Sequence, residues 1–177
     1  GVHIVDTETL SSGSGLLAMY ASELAKTGKY TAEQIVGKVS ARVPYNQSSF
    51  IVEKLNFLYK GGRCSMLSLL GANLLRLKPC LQLVNGEIKV TKKYMGNMPS
   101  CVKKYMEDEL ATFNNPDHTR CMVTYSSATK EMLDTAREVL EKYGKFKEVL
   151  FTNAGSVITS HCGENTLGIL YLNDGDH

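Results

Sequence analysis

Three short stretches of the chain combine residue types that could do chemistry. The first is Gly61-Gly62-Arg63. Two glycines let the backbone take conformations with positive φ, and an arginine fork can grip a carboxylate or phosphate through paired N–H donors. A helix predicted to begin at Ser65 adds backbone donors and a dipole that favours an anion. The competing reading is punctuation, in which the glycines end a short helix and Arg63 is a solvated charge. The second stretch runs from Val157 to Gly168 and carries His161 and Gly163 in a predicted turn between two apolar strands. A histidine there can hydrogen-bond an anionic group or act as a base, and Gly163 keeps the turn open to a close approach. Against this stands a half-buried histidine satisfied by a backbone carbonyl. The third is Cys162 beside His161, with Ser160 before it. Neighbours on a strand point to opposite faces, so Cys162 and His161 are poorly placed as nucleophile and base. No G-x-S-x-G elbow marks Ser160 either. A hydrolytic or thiol enzyme using His161 with Ser160 or Cys162 is nonetheless the alternative to a binding role. Asp6 with Ser11, Ser12 and Ser14 matches neither phosphate-loop fingerprint and reads as a helix cap.

These residues need elements to hold them. Val2–Val5 reads as a short buried strand, followed by a small-residue turn and a helix over Leu16–Lys26, which makes a βα unit of a parallel sheet. A second helix spans Thr31–Arg42, with Thr31 and Gln34 in capping-box spacing and Pro44 as its stop. Ser48–Val52 reads as a strand and Leu55–Lys60 as a short helix ending at the glycine pair. The helix from Ser65 to about Arg76 is apolar nearly all round, which suits either deep burial or the wall of an apolar cavity. Asn85-Gly86 between strand-like runs Pro79–Val84 and Glu87–Lys92 predicts a two-residue hairpin. Then come a helix from Pro99 to about Phe113, a strand Arg120–Tyr125, and a helix capped by Ser127 or Thr129 and stopped at Gly144. Strands Lys147–Phe151, Val157–Ser160 and Leu167–Leu172 complete the set. A hairpin means antiparallel sheet, so the architecture changes near Pro44–Ser48. Residues 1–46 are expected to be the C-terminal remnant of a parallel α/β domain and 47–177 a second α/β domain with a largely antiparallel sheet.

Composition excludes several classes. Of 177 residues, 43% are apolar and 21% charged, the balance of a folded globular chain rather than a disordered one. A net charge of +2, without basic blocks or aromatics among basic residues, gives no reason to expect nucleic acid. The five cysteines form no C-x-x-C pair, which disfavours zinc ribbons and thioredoxin-like chemistry. No cofactor or metal is expected. The most apolar run, Met66–Leu75, is too short to span a bilayer, and no stretch reads as a signal peptide. A cytoplasmic, reducing location is therefore expected. The opening residues, with a strand almost at once and no Met, read as the middle of a domain.

In order along the chain, Val5-Asp6-Thr7 through Ser11-Ser12-Gly13-Ser14-Gly15-Leu16-Leu17, then Phe50–Ser65 with K-G-G-R, then Leu75-Arg76-Leu77-Lys78-Pro79 with the Asn85-Gly86 hairpin, and finally Val157–Leu170 with H-x-G, resemble the DegV family of bacterial fatty-acid-binding proteins. The resemblance implies a non-catalytic carrier. Its long-chain fatty acid buries its tail in the C-terminal domain, sets its carboxylate near the interdomain cleft, and is presented to a separate fatty acid kinase for phospholipid synthesis. Carried over, His161, Arg63 and Gly163 surround the head group, and Phe50, Leu58, Met66, Leu69, Leu70, Leu81 and Ile169 line the tail pocket. The family's threonine and serine head-group motifs have no counterpart here, so the resemblance implies that most of the N-terminal domain is missing. Glu164-Asn165-Thr166 replaces the small residues after H-x-G, and Tyr94-Met95-Gly96-Asn97 replaces a basic stretch.

Overall fold

The computed structural model describes residues 1–63 and 77–176. The predicted helix from Ser65 to Arg76, and with it Met66, Leu69 and Leu70, lies outside them. The described residues form one six-stranded sheet in the order β3-β2-β1-β6-β4-β5. Its strands are β1 (Asn46–Ile51), β2 (Leu77–Val84), β3 (Glu87–Met95), β4 (Arg120–Ser126), β5 (Glu148–Asn153) and β6 (Thr166–Leu172). Every neighbouring pair is antiparallel except β4 and β5, which are parallel. That exception follows from the connection, because a parallel pair needs a crossover and α5 (Lys130–Val139) supplies it. The fold is thus mixed α/β with a largely antiparallel sheet.

Local chemistry explains most element ends. Asn85 (φ 52°) and Gly86 (φ 76°) make the left-handed pair that a tight hairpin between β2 and β3 requires. Thr31 accepts from Gln34 N while Gln34 Oε1 accepts from Thr31 N, a complete capping box on α2 (Ala32–Arg42). Asn97 caps α4 (Met98–Thr112) and Thr129 caps α5, each accepting from a backbone N–H three residues on.

Strand alternation sorts the sheet's two faces. Ile51, Cys80, Cys121, Val123, Leu167, Ile169 and Tyr171 face α4 and α5 and form the main core with Val102, Tyr105, Met106 and Met132. The opposite face carries smaller clusters. Met122 and Leu170 meet Leu16 of α1 (Ser12–Lys26), and Leu172 meets Leu17 of α1 and Val39 of α2. At the β1–β2–β3 end, Phe50 and Leu81 pack with Leu55 and with Leu58 of α3 (Asn56–Lys60).

Two sequence expectations fail in the N-terminal segment. Val2–Val5 is not a strand, and Val2 and Ile4 are 93% and 86% exposed, with only Val5 resting against the Leu17 cluster. Asp6 does not cap α1. Its carboxylate accepts from Glu8 N at 3.0 Å, and the helix begins after Ser11, which makes no side-chain cap bond.

Candidate functional site

The site is built where α3 and α6 (Ser156–Cys162) meet. The strand predicted over Val157–Ser160 is a helix instead. Ile158 and Cys162, four residues apart, reach the Phe50–Leu58 cluster, while Val157 between turns is 68% exposed. That is helical spacing, and packing of one face outweighs the strand preference of the β-branched run. His161 therefore stands on the last turn of a helix, half-buried. Gly163 follows with φ 79° and ψ −176°, a conformation open essentially to glycine alone.

The Gly61-Gly62-Arg63 turn closes α3 as a Schellman motif. Arg63 N donates to Leu58 O and Gly62 N to Tyr59 O, both at 2.9 Å, with Gly62 at φ 69°. Punctuation and function are not exclusive here. The exposed Arg63 guanidinium folds back to donate to Gly61 O at 2.9 Å, and the His161 ring also lies against Gly61. The two stretches singled out from the sequence thus converge on one glycine.

Of the expected tail residues, Phe50, Leu58 and Leu81 share one buried cluster with Val52, Leu55 and Cys162. Ile169 does not join them and lies in the α4/α5 core on the other face of the sheet. Beside the cluster is a narrow, apolar cavity of about 40 Å³ lined by Leu10, Phe50, Leu83, Ile158, Cys162 and Leu170 among others. Leu10 and Leu83 are also walls of an open groove of about 1030 Å³ that has Arg63, Asp6 and Glu8 along it. Leu10, Leu83, Ile158 and Leu170 were not singled out from the sequence. The i, i+4 pair Ile158/Cys162 and the cross-strand pair Leu83/Ile88 next to the hairpin were the available signals.

Two details settle the charge balance. Glu164 is exposed, away from the buried lining. Asn165 (φ 54°) turns its amide to Glu53 at 2.8 Å, and Lys78 pairs with the same carboxylate at 3.4 Å. The bond from Asn165 outweighs burial and holds Glu53 below the usual carboxyl range, with help from Lys78. For nucleophilic chemistry the geometry is poor. The Ser160 hydroxyl donates to Val157 O at 2.8 Å. Burial pushes the Cys162 thiol up to about 11, far from the thiolate a nucleophile needs. Among the described residues no cluster of metal-ligating side chains occurs.

The family model for the uncharacterised proteins of the DegV family matches residues 1–174. The chain belongs to the DegV family. It is 31% identical over 174 residues to a DegV domain-containing protein of Clostridium perfringens, covering 98% of this chain and 59% of that protein. A fatty acid-binding protein of Thermotoga maritima is 28% identical, over 94% of this chain and 58% of its own length. Among solved structures, a fatty-acid-binding DegV family protein from Thermus thermophilus superposes with a TM-score of 0.84 at 26% identity, covering 96% of this chain and 60% of that one. The DegV chain described here thus spans roughly six-tenths of the length of these relatives. Among the described residues, no helix is long and apolar enough to cross a membrane.

Proposed function

We propose that this DegV chain holds a long-chain fatty acid, with the alkyl tail entering the Leu10–Phe50–Leu83–Ile158 cavity and the carboxylate lying at the Gly61–Arg63 turn beside His161 and Gly163. One observation carries the reading: the apolar cavity and the groove bearing Arg63 share Leu10 and Leu83 as walls. An amphipathic ligand is what such a surface suits, since its apolar part and its anionic end meet matching chemistry in two neighbouring depressions. The cavity is far below the roughly 300–1,000 Å³ of ordinary ligand pockets, so it takes the tip of the tail and the groove takes the rest. Phe50, Leu58 and Leu81 back the tail from the buried cluster. Burying a sixteen- to eighteen-carbon tail contributes on the order of 10 kcal/mol before ordering costs, at about 0.8 kcal/mol per CH₂. The head then needs only a few directed donors, and Arg63 keeps the carboxylate ionised.

The exposure of Arg63 supports a second part of the proposal. The carboxylate stays reachable by a separate fatty acid kinase in the cytoplasm, so the chain acts as carrier rather than catalyst. On this reading the change at residue 46 is a functional boundary. Residues 1–46 belong with a parallel α/β domain, and 47–177 form the lipid-binding part. Organic extraction and mass spectrometry of protein purified from a bacterial host test the binding claim. A stoichiometric long-chain fatty acid is expected. Protein that carries none and takes up no added palmitate overturns it.

A further inference from the structure

Gly61 has φ −78° and ψ −3°, an ordinary helical conformation open to any residue. Backbone freedom is therefore not why a glycine stands there. The reason is a neighbour. A Cβ at Gly61 would overlap the His161 imidazole, with Nδ1 nearest and Cε1 only 2.7 Å away. The same relation recurs in reverse one turn further on. A Cβ at Gly163 would overlap the ring of Phe57, whose Cε2 lies 2.7 Å from that position. Phe57 belongs to α3, which ends at Gly61, and His161 belongs to α6, which ends at Gly163. Each segment thus supplies one ring and one glycine seat, and each ring rests on the other segment's glycine. Phe57 remains 40% exposed, so core burial does not account for its place.

We propose that Phe57 and Gly61 are positioning residues, and that this reciprocal clasp fixes the His161 ring against the Gly61–Arg63 turn. Arg63 Nη1 is anchored on Gly61 O at 2.9 Å, so the one glycine sets the spacing between the guanidinium and the imidazole. The Gly163 end is held independently. Its N–H donates to Thr159 O at 2.8 Å, and its carbonyl accepts from the buried Ser126 hydroxyl. A side chain at position 61 consequently pushes the imidazole off its seat while leaving α3 intact. The consequence for ligand binding rests on the carrier reading above, but the clasp itself does not.

The test uses the whole 177-residue chain, with two readouts. The first is the NMR titration of the His161 ring without ligand. Gly61→Ala is expected to shift its ring resonances and apparent pKa, Phe57→Ala to broaden or shift them, and Phe57→Tyr to restore the wild-type behaviour. The second is palmitate affinity. Gly61→Ala is expected to weaken it about tenfold or more, the size of one lost hydrogen bond to a charged group. In a His161→Ala background, the same Gly61→Ala change is expected to cost nothing further. Unchanged ring resonances in Gly61→Ala overturn the clasp, as does an undiminished Gly61→Ala effect in the absence of the imidazole. If the wild type binds no palmitate but the ring resonances respond as stated, the carrier reading fails and the clasp stands.

Discussion

The two faces of the sheet are held by different chemistry. Toward α4 and α5, strand side chains merge into a single apolar core, in which Tyr105, Met106, Met132, Ile169 and Tyr171 are fully buried. Several of its polar groups are paired across elements: Glu109 accepts from the Gln82 and Gln47 amides at 2.8 and 3.0 Å, and the Tyr105 hydroxyl meets Ser49 at 2.8 Å. Toward α1 and α6 the apolar groups fall into separate clusters, and hydroxyls fill the gaps. Ser12 bonds Thr124, Thr124 bonds Thr152 at 3.0 Å, and Thr9 bonds Ser48 at 3.0 Å. The helices on that side are tied at one end by a buried ion cluster. Arg42 of α2 donates to Asp117 at 2.6 Å and to Asp174 at 2.6 and 2.7 Å. A face packed to completion stabilises but has no room. The cavity and groove lie on the face whose packing is interrupted, and polar ties stand in there for the missing apolar contacts.

The largest effect is expected from cutting the polar tie. Arg42→Ala leaves two carboxylates buried without their cation, and breaking a buried pair from one side costs about 3–5 kcal/mol. Urea denaturation should show it, and a loss below about 1 kcal/mol would mean that the ties matter less than the comparison requires. Close behind comes Ile169→Ala on the closed face. Removing a fully buried isoleucine costs about 2–5 kcal/mol. Because Ile169 lies across the sheet from the cavity, the folded fraction should keep its palmitate affinity. A selective loss of affinity at unchanged stability would place the tail on the wrong side of this division.

A smaller effect separates the faces from the cavity side. Gly168 lines the cavity, and a Cβ there would sit 2.6 Å from Ser49 O and 3.1 Å from the Phe50 Cβ. Gly168→Ala must spread β1 from β6, an overpacking cost of about 1–3 kcal/mol. It should also narrow the tail site, so palmitate uptake falls together with the urea midpoint. Uptake that is unchanged despite the lost stability would show that the tail does not pass Gly168.

Much of this arrangement was legible in the residues. The Asn85-Gly86 hairpin, the Thr31/Gln34 box and the Thr129 cap carry their geometry in local chemistry, and each is found where its residues predict it. What local chemistry could not supply was partnership. Val2–Val5 reads as a short buried strand, but none of the six described strands pairs with it, so Val2 and Ile4 stay out and only Val5 finds an apolar neighbour. Val157–Ser160 is β-branched at three positions, yet the cluster around Phe50 and Leu58 accepts Ile158 and Cys162 from one face of a helix. The site was half legible for the same reason. His161 and Arg63 stood out by residue type, whereas Phe57 and Gly61 matter through a contact between segments a hundred residues apart. The resemblance puts Ile169 at the tail, while strand alternation puts it on the other face.

The smallest predicted effect concerns acid. Burial alone would raise the Asp117 carboxyl, but hydrogen bonds from Thr119 and Arg42 outweigh it and hold the group below its ordinary 3.8. A folded value below the unfolded one means that the contribution is complete above about pH 3.8 and is lost as the pH falls through the lower folded value. Acid should therefore loosen the α1/α2 side by protonating this tie, while the α4/α5 core gains or loses nothing through Asp117. Amide exchange at pH 3 should accelerate in α2 before α4. Asp117→Asn should remove part of the difference in urea midpoint between pH 3 and pH 7, because the variant has no carboxyl left to protonate there. If α4 exchanges first, or if the variant keeps the full pH difference, the polar tie is not what distinguishes the two faces in acid.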